Sequence, residues 1–221
     1  MYTMASSLMQ ERENMVRLQL KRRHISDERV LEAFEKVPRH EFVPEKHRDS
    51  AYTDNPIPIG YEQTISQPYV VAHMIEEVDV RPSDVVLDIG TGSGYGAAIL
   101  SRLCRKVYGI ERIQPLANRA RETLESLGYD NVEVKCGDGF EGWQEKAPFD
   151  VIILGAAPTE IPEQLKHQLA DGGRLIAPIG DLQQQLVILE KSGTTFNEST
   201  GTPVRFVPMK SGKVSTEERT K

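Results

Sequence analysis

Between residues 85 and 180 the chain repeats one pattern: a short apolar run rich in β-branched residues, then a polar stretch with helical periodicity. The runs are VVLDIG (85–90), KVYGIE (106–111), NVEVKC (131–136), FDVIILG (149–155) and RLIAPIG (174–180). Helix patterns fall at Tyr95–Cys104, Gln114–Leu127 (with Gly128 at its end) and Pro162–Leu169 (stopped by Gly172-Gly173), and a connector carrying Trp143 fills the remaining gap. Apolar runs without alternation, spaced by helices, are strands buried on both faces. The only economical arrangement is a doubly wound, mostly parallel sheet with helices on either side. LVILEK (186–191) and TPVRFVPM (202–209) add two strands joined only by SGTTFNESTG, too short for a parallel crossover. The expectation is a single α/β sheet of seven strands closed by a C-terminal antiparallel pair.

Ahead of the sheet lies an N-terminal helical extension. Ser6 to Arg23 favours helix and, with Leu8, Met15, Leu18 and Leu20 only loosely periodic, is expected to lie on the outside. A second helix follows, with Ser26 as its cap, Val30, Leu31, Phe34 and Val37 as its apolar stripe, and Pro38 as its end. From Pro44 to Ser66 no period is visible, yet Tyr52, Ile57, Ile59, Tyr61 and Ile65 are too apolar for a tether. That stretch reads as an ordered loop over a site, followed by a helix from Pro68 to Glu77. The division expected is 1–80 for the helices and active-site loop, 81–209 for the α/β unit, and 210–221 as a polar, frayed tail.

Composition removes several classes of function. With 27 basic against 33 acidic residues and a net charge of −6, nucleic acid and anionic membranes are poor partners. No apolar run reaches the ~18–20 residues of a membrane span, and MYTMASSLMQER shows no secretory pattern, so a soluble, cytoplasmic protein is expected. Cys104 and Cys136 are too few for a disulfide framework or a Cys-rich metal site, and the histidines at 24, 40, 47, 73 and 167 have no ligand spacing; no metal is expected.

The chemistry concentrates at strand ends. Asp88-Ile-Gly90-Thr-Gly92-Ser-Gly94 closes one strand and opens a helix, where glycines let the backbone turn sharply and approach a ligand. The dinucleotide fingerprint G-x-G-x-x-G fails, because Tyr95 stands three after Gly92. Glu111 ends the next strand, where a carboxylate can accept both hydroxyls of a ribose, and Gly137-Asp138-Gly139 ends the third, within reach of an adenine edge.

Together these residues resemble the class I S-adenosylmethionine-dependent methyltransferases, with their Rossmann-like fold, and among them the protein-L-isoaspartate O-methyltransferase family. The resemblance runs from about residue 27 to 209 through VPRHEFVP (37–44), AYTDNPIPIGYEQTISQPYVVAHM (51–74), VVLDIGTGSGYGAAIL (85–100), GDGFEGWQEKAPFDVIILGAAP (137–158) and QLADGGRLIAPIG (168–180). It implies S-adenosylmethionine as cofactor, held by Asp88, Gly90, Thr91, Gly92 and Gly94 at its methionine part, Glu111 at the ribose, and Asp138 with Gly139 at the adenine. It implies Ser66 as the active-site serine. Ile59, Gly60, Gln63 and Thr64 fall in the segment that closes over the substrate, and Val204, Arg205 and Phe206 in the strand that flanks it. The implied substrate is the free α-carboxylate of L-isoaspartyl residues in damaged proteins and peptides, with no obligate protein partner. Gly155 departs from the threonine expected in a T-A-A-P run. A nucleic-acid amino-group methyltransferase would instead want an Asn/Asp-Pro-Pro-aromatic run there, and a non-catalytic cofactor-binding relative would be expected to lack Ser66.

Overall fold

The computed structural model describes residues 2–215. Helix α1 (Tyr2–Met15) continues through one π turn (Val16–Leu20) and a 3-10 turn (Lys21–Arg23), ending where His24 adopts a left-handed φ of 72°. The expectation of an outer helix holds for its exposed Met9 and Leu18 but not for its end. Met15, Val16 and Leu20 are fully buried, because the wider turn carries them together onto the core side.

Helix α2 (Glu28–Lys36) is capped one residue later than its sequence suggests. Asp27 accepts from the Arg29 N–H at 2.8 Å, whereas the Ser26 hydroxyl donates to Glu76 on the next helix. Asp27 wins because the same Glu76 oxygen also collects the Ser26 and Asp27 amides, fixing the chain before the first turn.

The aperiodic stretch is ordered and contains a small hairpin, β1 (Ile57–Gly60) against β2 (Gln63–Ile65), with Gly60, Tyr61 and Glu62 all at positive φ. Ile57 and Ile59 point inward and Pro58 outward, a strand alternation too short to register against its surroundings. Helix α3 (Pro68–Glu77) starts on its proline as expected.

The sheet then builds in sequence: β3 (Val85–Ile89), α4 (Tyr95–Ser101), β4 (Lys106–Glu111), α5 (Gln114–Ser126), β5 (Val132–Cys136), β6 (Phe149–Leu154), α6 (Glu163–His167), β7 (Leu169–Gly180), β8 (Gln184–Ser192) and β9 (Thr195–Val204). The strand order is β5-β4-β3-β6-β7-β8-β9, parallel from β5 to β7 and antiparallel from β7 to β9. The direction of winding reverses between β3 and β6, so a crevice opens beyond the C-terminal ends of those strands. One face of the sheet packs Phe34, Ile75, Ile99 and Leu116. The other packs Leu87, Phe149, Leu165 and Leu175, with Trp143 and Phe149 edge-on to Tyr108. Among the described residues no helix is long and apolar enough to cross a membrane.

Two strand boundaries differ from expectation. Gly172-Gly173 does not stop a helix; it marks an irregularity inside β7, between the Phe149–Leu169 and Val151–Arg174 pairs. The last strand is 195–204 rather than 202–209. It is an exposed edge of Thr, Asn, Glu and Ser, which no burial pattern betrays. Residues after it leave the sheet and cross the strand ends: the Ala157 N–H donates to the Val207 carbonyl at 2.9 Å, and the Met209 N–H to the Ala157 carbonyl at 2.7 Å. Of the tail expected to fray from 210, Val214 is bridged to Ile113, and residues 216–221 lie outside the described residues.

Candidate active site

At the end of β3 the chain turns through Gly90, Gly92 and Gly94, all at positive φ, with the Gly90 and Thr91 amides bonded to the Ile110 carbonyl of β4. Residues with side chains rarely adopt this conformation, so the glycine spacing follows from the turn itself. Opposite stands Gly155 at the end of β6, its N–H on the Ile89 carbonyl at 2.7 Å. A Cβ at 155 would lie 3.0 Å from the Gly90 carbonyl oxygen. Glycine in place of the expected threonine therefore gives the turn room at its closest approach to β6.

Two carboxylates are buried beside this turn. Glu111, at the end of β4, is 5% exposed; one oxygen accepts the Gly92 N–H at 3.0 Å and the other the Ile113 N–H at 2.9 Å. Burial pushes its pKa up against these hydrogen bonds. Asp88 accepts the Thr91 hydroxyl at 2.6 Å. Burial raises its pKa to about 6, with the Glu111 charge adding to the rise and the Thr91 bond opposing it.

Asp88 thus holds a proton more tightly folded than unfolded. Its contribution to stability is present below about pH 4 and lost as pH rises through about 6. Urea unfolding of wild type and Asp88→Asn is expected to show wild type losing stability relative to the variant between pH 4 and 7. A pH-independent difference would contradict the assignment.

Three cavities meet here. The first runs between Ile110, Ile113 and Met209, with Glu111 and Gly139 in its wall. The second contains Asp88, Thr91, Ser93 and Tyr95. The third is an open groove bounded by Arg23, Tyr69, His73, Arg205 and Phe206. Thr64 and Gly155 border all three, and Ser66 borders the second and third. A bound molecule in the first two cavities would therefore face a chain in the groove across Ser66 and Thr64.

Most residues singled out in the sequence converge on this junction. Gly90 and Gly92 line the first two cavities, Gln63 the first, and Val204 the groove. Four do not line it. Ile59 is fully buried behind the hairpin, against Gly92, and its carbonyl accepts Arg119 Nη2 at 2.6 Å. Gly60 forms the hairpin bend, and Gly94 faces Leu124. Asp138 has its oxygens engaged by the Phe140 and Gly212 amides, leaving Gly139 as the member of that pair in the cavity wall. Ser66 is not a helix cap: Gln67 holds that position, without a side-chain bond. Sequence reasoning missed the wall formed by residues 207–210, whose only signal is the apolar spacing of Val207 and Met209, and missed Arg39, visible only as a charge inside the apolar frame of VPRHEFVP.

The donor set fits S-adenosylmethionine. Glycines in the cavity wall, having no side chain, let an amino-acid moiety approach the backbone closely, a carboxylate suits ribose hydroxyls, an apolar slot suits adenine, and two buried acids favour a sulfonium cation.

Comparison with known proteins agrees. Residues 10–214 match the family model described as protein-L-isoaspartate(D-aspartate) O-methyltransferase. The chain is 53% identical over 207 residues to the protein-L-isoaspartate O-methyltransferase of Synechococcus sp. (strain JA-2-3B'a(2-13)), covering 90% of this chain and 85% of the relative. A solved protein-L-isoaspartate O-methyltransferase superposes with a TM-score of 0.81 at 32% identity, covering 89% of this chain and 65% of that one. A Plasmodium falciparum structure described as a beta-aspartate methyltransferase in complex with S-adenosyl-L-homocysteine gives a TM-score of 0.79 at 27% identity, covering 90% and 98%.

Proposed function

The chain belongs to the protein-L-isoaspartate(D-aspartate) O-methyltransferase family, and from that premise we propose how its residues share the work. The reaction moves a methyl group from S-adenosylmethionine to the free α-carboxylate of an L-isoaspartyl residue, opening a repair route through a succinimide. One observation carries the assignment of roles: the cofactor-sized cavities and the peptide-sized groove meet at Ser66 and Thr64.

When bound, S-adenosylmethionine supplies an electrophilic methyl group on a sulfonium. Glu111 holds the ribose, the close-packed backbone of the 90–94 turn and Asp88 hold the methionine part, and Gly139 with Ile110 and Met209 encloses the adenine. The acceptor carboxylate, with an ordinary pKa near ~4, is already ionised at neutral pH, so no general base is required. The site instead aligns the carboxylate and strips its water. The Ser66 hydroxyl orients it, Thr64 closes the junction, and the edge at Val204, Arg205 and Phe206 aligns the extended peptide. Two free cysteines, with burial pushing the Cys104 thiol up to about 12, suit a reducing compartment such as the cytoplasm.

The product chemistry tests the reading. Label from methyl-labelled S-adenosylmethionine is expected in isoaspartyl peptide as an ester, released as methanol by mild alkali. Alkali-stable label would point to an N-methylated acceptor and overturn it.

Ser66→Ala is expected to lower kcat by about tenfold, or ~1.4 kcal/mol of transition-state stabilisation. Because Gln67 occupies the cap position, the melting temperature should stay unchanged. A stability loss with normal turnover per folded molecule would reverse the assignment.

A further inference from the structure

Arg39 is fully buried, and its guanidinium donates to two main-chain oxygens, Nε to the Ala51 carbonyl and Nη2 to the Ser66 carbonyl, each at 2.8 Å. Its Cζ lies 4.8 Å from the centroid of the Tyr95 ring, and its Nη1 meets no acceptor. Among the described residues no carboxylate forms an ion pair with it. The carboxylate whose charge acts on it is Asp54, which is itself paired with Arg23 at 3.1 Å. Burial pulls its pKa down from the ordinary arginine value, yet a guanidinium does not give up its proton at neutral pH. A buried cation without a counter-ion is costly, and a neutral side chain could serve two carbonyls at less expense.

The cleft explains the charge. Asp88 and Glu111 make the cofactor side of the junction negative, which favours a sulfonium and opposes a second anion. A carboxylate brought to Ser66 loses its water and faces those acids. We propose that Arg39 is a positioning residue for the acceptor carboxylate: through the Ser66 carbonyl it fixes the serine, and its buried charge offsets the desolvation and repulsion of the substrate anion. This rests on the isoaspartyl reading above. It assigns to a residue outside the cavity walls the preference of the site for a charged acceptor over a neutral one.

The test compares two peptides binding to the full chain loaded with S-adenosylhomocysteine: an isoaspartyl peptide with its α-carboxylate, and the same peptide as the α-carboxamide. Wild type is expected to prefer the carboxylate. Arg39→Met is expected to lose about tenfold in affinity for the carboxylate peptide and less than twofold for the amide, with S-adenosylhomocysteine affinity unchanged. Arg39→Lys, which keeps the charge, should retain most of the preference. Equal loss for both peptides, or no loss for either, would show that Arg39 is merely structural. A second measurement needs no variant: in the wild-type complex, 13C NMR of a labelled α-carboxyl should give a pKa below that of the free peptide, and a raised value would overturn the proposal. A wild type that methylates no isoaspartyl peptide removes the parent reading, whereas intact methylation with an unchanged carboxylate preference in Arg39→Met removes only the role of Arg39.

Discussion

Glu111→Ala is expected to weaken binding of S-adenosylmethionine and S-adenosylhomocysteine by about a hundredfold, near 2.7 kcal/mol. Two losses combine. The carboxylate is the group assigned to the ribose hydroxyls, and charge-assisted bonds of that kind contribute ~1.5–3 kcal/mol. The same oxygens also accept the Gly92 and Ile113 amides, so truncation leaves two inward N–H groups without an acceptor and loosens the glycine turn. Glu111→Gln should fall between wild type and Ala, since one amide oxygen can satisfy only part of this set. Calorimetry with S-adenosylhomocysteine on folded proteins decides the matter. Wild-type affinity in Glu111→Ala would remove the ribose assignment and the turn-anchoring role together.

The strand-end acids were legible in the sequence because their chemistry is local. An apolar run that ends in Asp or Glu beside a glycine turn can hardly place that acid anywhere but at the C-terminal edge of the sheet. Asp88 and Glu111 lie there, and β4 runs over Lys106–Glu111 as its residues suggest. The features that escaped depend on contacts distant in sequence. The hairpin of β1 and β2 has strands of four and three residues, below the length at which alternation stands out, and its place is set by Gly92 and Arg119. Strand β9 is polar because it is an edge exposed to water, so its sequence resembles a linker. Asp138 reads as a ligand contact, yet its second oxygen is taken by Gly212, a partner lying 74 residues further on. Arg39 reads as one charge among many, and only the folded chain removes it from water. Local turn chemistry thus marked the strand ends that line the first two cavities, while the groove beside them had to be seen in three dimensions.

Discrimination between isoaspartyl and aspartyl linkages is the other large effect expected. Both present one carboxylate of equal charge, so Arg39, Ser66 and the acids of the cleft cannot separate them by electrostatics alone. In the isoaspartyl linkage the main chain runs through the side-chain carbon and gains one methylene, leaving the α-carboxylate on a different stem. The groove runs between the Thr64–Ser66 segment and the edge at Val204 and Phe206; with the peptide seated there as proposed, only one stem length brings the carboxylate to the junction in line with the methyl group. A displacement of ~1 Å at a reacting atom can cost about a hundredfold in rate. The most direct measurement is therefore kcat/KM for methyl transfer from labelled S-adenosylmethionine to two peptides of one sequence, differing only in that linkage. The isoaspartyl peptide is expected to be preferred by at least about a hundredfold. Equal transfer to both, or transfer to neither while a nucleic acid or small metabolite is methylated, would contradict the account.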